Sequence, residues 1–291
     1  MRIALHGHKF NSDTIPFIQE VILFLQNKNV EVIVSQIFRK HATKAGFDLP
    51  DGPDLSKANP VESLDAIISL GGDGTLLETV TYVKHAETPI LGINTGRLGF
   101  LANISKLDIQ SALTSFFEQR FTYDYRTLLR LETNKEVFGD TSFALNEFTI
   151  TKKDTSSMIT VKCYINGEYL NSYWADGLMV STPTGSTGYS LSCGGPVILP
   201  HSNNFVITPV SPHNLNVRPL IVPDESVISF VIESRGRNFL ASLDSRSHTV
   251  DSSVEMSVRK EDFRAKLIQL SGYSFLDTLR NKLNWGFDLR N

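Results

Sequence analysis

The sequence predicts an α/β domain followed by an all-β domain, and three observations carry that reading. Apolar strand runs alternate with amphipathic helical patterns from residue 2 to about 120. From about Tyr123 the hydrophobic period changes to two, with many short strands and few helices. One early strand, 65–70, runs straight into the glycine turn Gly71-Gly72-Asp73-Gly74-Thr75. The alternating part implies a Rossmann-like parallel sheet with helices on both faces and ligands at the carboxyl ends of its strands. The second part implies a β-sandwich. A chain of 291 residues is long enough for two cores. The expected division is an α/β domain over 1–122, a β-sandwich over 123–264, and a C-terminal helical segment, 265–291, that packs back on the first domain.

Arg2–Gly7 reads as a buried first strand, after which Ser12 is placed to cap a helix that carries Ile15, Ile18, Val21, Ile22 and Leu25 on one face. Residues 30–35 give a second strand, and 46–60, rich in Gly, Pro, Asp and Lys, a surface loop. Past the glycine turn, Leu76, Leu77, Val80 and Val83 recur at helical spacing, and 89–94 is the next strand. Residues 104–121 read as one amphipathic helix with Leu107, Leu113, Phe116 and Phe117 on its buried side. Strands then follow at 128–131, 142–151, 158–165, 206–209, 227–232 and 239–243, with Asn166-Gly167 as a tight hairpin turn. Phe275, Leu276, Leu279 and Leu283 mark a last helix.

Hydrophobic residues at 41%, charged residues at 20% and a net charge of -3 lack the basic excess that nucleic-acid binding demands. The start is too poor in apolar residues for a signal peptide, and no later run reaches membrane-spanning length, so the expectation is a cytoplasmic protein with no membrane partner. Cys163 and Cys193 have neither zinc nor redox spacing and read as reduced packing residues, and no metal cluster is visible.

The glycine turn is the first chemical signal. Its glycines let the backbone approach a polyanion while the amides and positive dipole end of the following helix point at the same place. Asp73 is out of keeping there, because a carboxylate beside a phosphate is repulsive unless a metal or a reacting hydroxyl lies between them. The alternative is that Asp73 only caps the helix. A second glycine turn, Thr95-Gly96-Arg97-Leu98-Gly99-Phe100-Leu101, presents Phe100 either to a base or to the core. The third signal is the hydroxyl- and glycine-dense stretch 176–196. It offers amides and hydroxyls to a ligand, with Asp176 as acceptor and Tyr189 as platform, or else its hydroxyls satisfy their own backbone.

Taken together, Gly71-Gly72-Asp73-Gly74-Thr75, Asn94-Thr95-Gly96-Arg97-Leu98-Gly99-Phe100, Leu145-Asn146-Glu147, Asp176-Gly177 and Thr182-Pro183-Thr184-Gly185-Ser186-Thr187 resemble the motifs of the NAD kinase family in order and spacing, and the tail Leu279-Arg280-Asn281-Lys282-Leu283-Asn284-Trp285-Gly286 is similar to its C-terminal helix. The Gly-Gly-Asp-Gly turn is shared with lipid kinases and phosphofructokinases; the Thr-Pro-Thr-Gly-Ser-Thr run is the specific one. The resemblance implies a nucleotide site between the two domains and transfer of the terminal phosphate of ATP to the 2'-hydroxyl of the adenosine ribose of NAD, with Mg²⁺ carried by the nucleotide. It implies Asp73 as the base, Gly72 and Gly74 at the phosphates and Phe100 against adenine. Asn146 and Glu147 then hold adenine and ribose groups, and Asp176 and Ser192 the nicotinamide end. Thr187, Gly188, Tyr189 and Ser190 belong to the wall around the dinucleotide, and Asp244 and Arg246 supply a further carboxylate and a phosphate contact. A homodimer or homotetramer built through the β domain is also implied.

The sequence departs from the family at Gly188, where alanine is usual, at Trp174-Ala175 before Asp176, where some members offer arginine, and at Ser157, where others are basic. Lys9, Arg97 or a neighbouring subunit would then supply the missing phosphate-binding charge. The rival readings are a noncatalytic dinucleotide sensor and a lipid kinase. The chain has no G-x-x-x-x-G-K-[ST] signature and no basic amphipathic segment.

Overall fold

The computed structural model describes residues 1–8, 12–47, 49–50, 52, 54–55, 64–96, 98–153, 157–233 and 238–286. The chain divides into two units, Met1–Tyr125 with Ala265–Asn291, and Arg126–Arg264.

In the first unit, β1 (Arg2–Gly7), β2 (Glu31–Ser35), β3 (Asp54–Leu55), β4 (Ala66–Leu70) and β5 (Ile90–Asn94) form a parallel sheet in the order β5-β4-β1-β2-β3. The strands are mainly apolar, with Ile3, Leu5, Ile67, Ile68 and Ile90 fully buried, as a sheet covered on both faces requires. Helices α1 (Ile15–Asn27), α2 (Gln36–Lys44), α3 (Asp73–Val83) and α4 (Ile109–Phe117) supply the cover. Strand order reverses direction between β1 and β4, and the register sets Gly7 beside Leu70. The glycine turn after β4 therefore opens at the switch point, where ligands of such sheets collect.

Four expectations change here. Thr14, not Ser12, precedes α1, and the Ser12 hydroxyl donates to Asp13 instead. Helix α2 was not anticipated; Ser35 caps it by accepting the Phe38 amide. Residues 104–121 are not one helix. Ile104 pairs with Ile93 in a short parallel strand, β6 (Ile104–Ser105), and the Ser105 hydroxyl accepts the Leu107 amide before α4 begins. This phase leaves Leu107 80% exposed and puts Ile109 and Ala112 inside with Leu113 and Phe116. Finally, residues 265–270 are strand, with Leu267 beside Ile90; the C-terminal helix is only Phe275–Leu283, capped by Ser274. Most of the expected loop at 46–60 lies outside the described residues.

The second unit is an antiparallel sandwich. After β7 (Phe121–Thr133), β8 (Phe143–Ala144), β9 (Glu147–Lys152), β10 (Ile159–Ile165), β11 (Glu168–Ala175) and β12 (Gly177–Ser181), a short helix α5 (Tyr189–Ser192) precedes β13 (Asn204–Val210). Then come β14 (Leu220–Pro223), β15 (Ile228–Glu233), β16 (Asn238–Leu243), β17 (Arg246–Asp251) and β18 (Met256–Leu270). One sheet runs β14-β13-β12-β9-β16-β17; in the other, β11, β10, β15 and the start of β18 are neighbours. Phe148, Phe205, Phe239, Val161 and Val258 meet in the core between them. Asn166 and Gly167 have φ of +51° and +83°, the left-handed pair that joins β10 to β11. The expected strand 142–151 is broken at Leu145 and Asn146, whose amides turn aside to a carboxylate described below. Strand β12, expected as part of a ligand loop, is buried at every position and central to its sheet. Among the described residues no helix is long and apolar enough to cross a membrane.

Candidate active site

Asp73 is the first residue of α3, with Gly72 at the cap position and no side-chain capping bond. Its carboxylate instead reaches the second glycine turn. Oδ2 accepts the Phe100 amide at 2.8 Å, and Oδ1 accepts those of Leu101 and Ala102, both at 3.0 Å. The capping alternative is thereby excluded. Gly99 makes this approach sterically feasible, because a Cβ there would lie 1.9 Å from Asp73 Oδ1. Two carboxylate oxygens offer about four acceptor positions. With three taken, one on Oδ2 remains for a hydroxyl. Gly72, Asp73 and Gly74 carry the amides that precede the first intrahelical bonds, and extra atoms at Gly72 or Gly74 would meet only open space. The Phe100 ring is half-buried, 6.3 Å from that of Phe275, with Lys282 Nζ 5.8 Å over its face. At the neighbouring end of β1, buried His6 bonds Ser35 at 2.8 Å and lies 3.5 Å from Glu78, whose carboxylate is also 4.0 Å from His8. Lys9 and Arg97 lie outside the described residues.

In the second unit Asp244 repeats the device. It begins the two-residue turn between β16 and β17 with φ +52°, a conformation that Asp adopts more readily than most residues. Its Oδ2 accepts the Leu145 amide at 3.1 Å, and its Oδ1 those of Asn146 at 2.8 Å and Glu147 at 3.2 Å. Arg246, 3.9 Å away, is expected at phosphate but donates to the carbonyls of Thr141 and Phe143 and covers the Phe143 ring. It braces the turn from behind. Burial raises the Asp244 pKa against the pull of the three amides and Arg246. Asn146 Oδ1 and Glu147 Oε2 are buried without a hydrogen-bond partner. Burial first, then the charge of Asp244, pushes the Glu147 pKa up to about 8.

The hydroxyl-rich stretch divides. Thr182 donates to the Leu145 carbonyl and accepts the Gly185 amide; Ser186 donates to Pro183; Thr187 donates to Thr184; Ser190 pairs with Thr208 at 2.9 Å in full burial. These groups build a stiff loop, and the hydroxyl of Ser190 faces the core. Tyr189, 44% exposed, and Ser192 remain outward. Asp176 forms an ion pair with Lys152 at 2.6 Å, a partner that the sequence reading missed.

The family profile for the ATP-NAD kinase N-terminal domain matches residues 3–121, and that for the ATP-NAD kinase C-terminal domain matches residues 145–270. An NAD kinase of Cytophaga hutchinsonii is 50% identical over the whole of both chains, and one of Flavobacterium johnsoniae is 44% identical, again over both in full. The chain belongs to the NAD kinase family. Two solved members share the fold. Yeast NADH kinase complexed with NADH superposes with a TM-score of 0.87 at 25% identity, covering 100% of this chain and 89% of that one. The Archaeoglobus fulgidus NAD kinase in complex with ATP gives 0.74 at 28%, with 98% of each covered. The sequence alone did not single out Gly99, Lys152 or the His6–Glu78 group. Only Gly99 carried a signal, as the glycine before Phe100 in the second turn.

Proposed function

We infer that this chain is an NAD kinase, transferring the terminal phosphate of ATP to the 2'-hydroxyl of the adenosine ribose of NAD to give NADP and ADP. The observation that carries the chemistry is the open acceptor position on Asp73 Oδ2, at a glycine turn whose amides suit a phosphate chain. The ribose oxygen attacks the γ-phosphorus as Asp73 takes its proton, and ADP departs. Such transfer asks little covalent help of the protein, so positioning and charge stabilisation supply most of the rate. The amides of Gly72 and Gly74 and the N-terminus of α3 receive the developing negative charge. Mg²⁺ enters as part of the MgATP substrate and neutralises the phosphate oxygens.

In the second unit the unpartnered Asn146 and Glu147 acceptors suit the donors of adenine and ribose. Asp176, held by Lys152, and exposed Ser192 suit the nicotinamide end, with Thr187, Gly188 and Tyr189 as walls. Phe100 gives adenine an apolar surface. Asp244 and Arg246 act from beneath, by fixing the turn that carries Asn146 and Glu147. The protein works in the cytoplasm as a homodimer or homotetramer; full activity in a purified monomer contradicts that assembly.

The test of the reaction is incubation of the protein with NAD and MgATP and measurement of NADP and ADP. One NADP per ADP is expected. Intact NAD binding without NADP identifies a noncatalytic sensor instead.

A further inference from the structure

Two acceptors on the turn that Asp244 clamps, Asn146 Oδ1 and Glu147 Oε2, are buried and unpartnered, and one of them is ionisable. Glu147 opens β9 on the turn that Asp244 clamps. Three successive amides and the Arg246 guanidinium point at Asp244, whose side chain is 5% exposed, and these favour ionisation at Asp244 over its neighbour. Glu147 Oε2 receives no donor. Arg246 is committed to Asp244 and to two carbonyls. Glu147 thus sets a buried, undonated Oε2 beside a second buried carboxyl group, and both conditions favour its protonated form. The other titratable groups that face it are Tyr189 and Cys193 of the α5 segment. Burial raises both of these above their already high ordinary values, so neither changes charge near neutrality.

Gly188 packs against both side chains. A Cβ there would stand 3.5 Å from Glu147 Oε2 and 3.6 Å from Asn146 Nδ2. A ligand that reaches these two acceptors meets groups that need donors, which a vicinal diol supplies twice over.

Building on the dinucleotide reading, we propose that Glu147 is a neutral acid in the free protein and that docking of a ribose diol draws its proton off to solvent, coupling dinucleotide binding to release of one proton. In the step the Glu147 O–H bond breaks, the proton passes to buffer, and the new carboxylate accepts the ribose hydroxyls. Glu147 is a positioning residue in this account, selecting a free diol over a group that brings no donors.

The experiment is calorimetric titration of the full-length protein with NAD, without ATP, in two buffers of different ionisation enthalpy. At pH 7 the wild type is expected to release close to one proton per NAD. Its Kd should tighten by about tenfold per pH unit below the free-state pKa of about 8 and level off above it. Glu147→Gln should release none and show a flat Kd, while Glu147→Asp, the conservative change, keeps release and guards against a misfolded glutamine variant. Binding by wild type without buffer-dependent heat, or equal release by Glu147→Gln, overturns the proposal and leaves the dinucleotide reading standing. Failure of NAD to bind wild type at any pH overturns both.

Discussion

Asp73 and Asp244 lie in different units and use the same device. Each gives one oxygen to a single backbone amide and the other oxygen to the next two, clamping a distant turn. Their surroundings separate them. Asp73 is half-buried beside open glycine backbone, with an acceptor position left over. Asp244 is enclosed, has Arg246 at its back, and pushes its neighbour Glu147 toward the neutral form. The same geometry thus leaves one carboxylate with an open acceptor position and encloses the other beneath the turn it clamps.

The comparison breaks most visibly at Asp244. Asparagine there sets an amino group against backbone amides and leaves Arg246 without its counter-charge. Loss of one partner of a buried pair costs about 3–5 kcal/mol. Denaturant unfolding of Asp244→Asn should show a loss of that order; a loss within error of zero makes the clamp dispensable.

Next comes Gly99→Ala, which drives a methyl into Asp73 Oδ1 and must push the second glycine turn away. Misplacement on that scale lowers turnover by about 10²-fold, and NADP formation should fall accordingly. Wild-type turnover would mean that the Asp73–turn contact is irrelevant to the reaction.

The smallest effect sharpens the contrast through pH. The Glu147 pKa rises from 4.5 to about 8 on folding, so the folded protein holds this proton more tightly than the unfolded chain. Stability associated with it is therefore present at low pH, is lost as pH climbs from 4.5 to about 8, and is constant above that. Glu147→Gln escapes this loss. Unfolding of the ligand-free proteins should favour the glutamine variant by on the order of 1–3 kcal/mol on the alkaline side, and by progressively less toward acid. A difference independent of pH contradicts a neutral Glu147.

Much of this was legible along the chain and some of it was not. The glycine turn after β4 announced itself because strand, glycines and helix are contiguous, and Asn166-Gly167 marked its hairpin for the same local reason. The two clamps were invisible, since Asp73 reaches 27 to 29 residues away and Asp244 as far as 99. Helix α2 escaped notice because only Phe38 and Ala42 of its nine residues are buried, too few to set a period. Strand β12 was hidden by being apolar on both faces within a stretch of small hydroxyls, so it showed no alternation. The hydroxyls beside it suggested ligand contacts, yet most satisfy their own loop, which neighbouring sequence cannot reveal. The helix expected over 104–121 failed on a capping serine whose preference for a fresh start outweighed the apolar spacing around Leu107.

The most direct measurement is NADP formation by Asp73→Asn beside wild type, with NAD affinity determined for both. Loss of the base and loosening of the Phe100–Ala102 turn together predict a fall in turnover on the order of 10²–10⁴-fold while NAD still binds through the second unit. Turnover near the wild-type rate would contradict the account, because the one open acceptor at the glycine turn would then have no part in the chemistry.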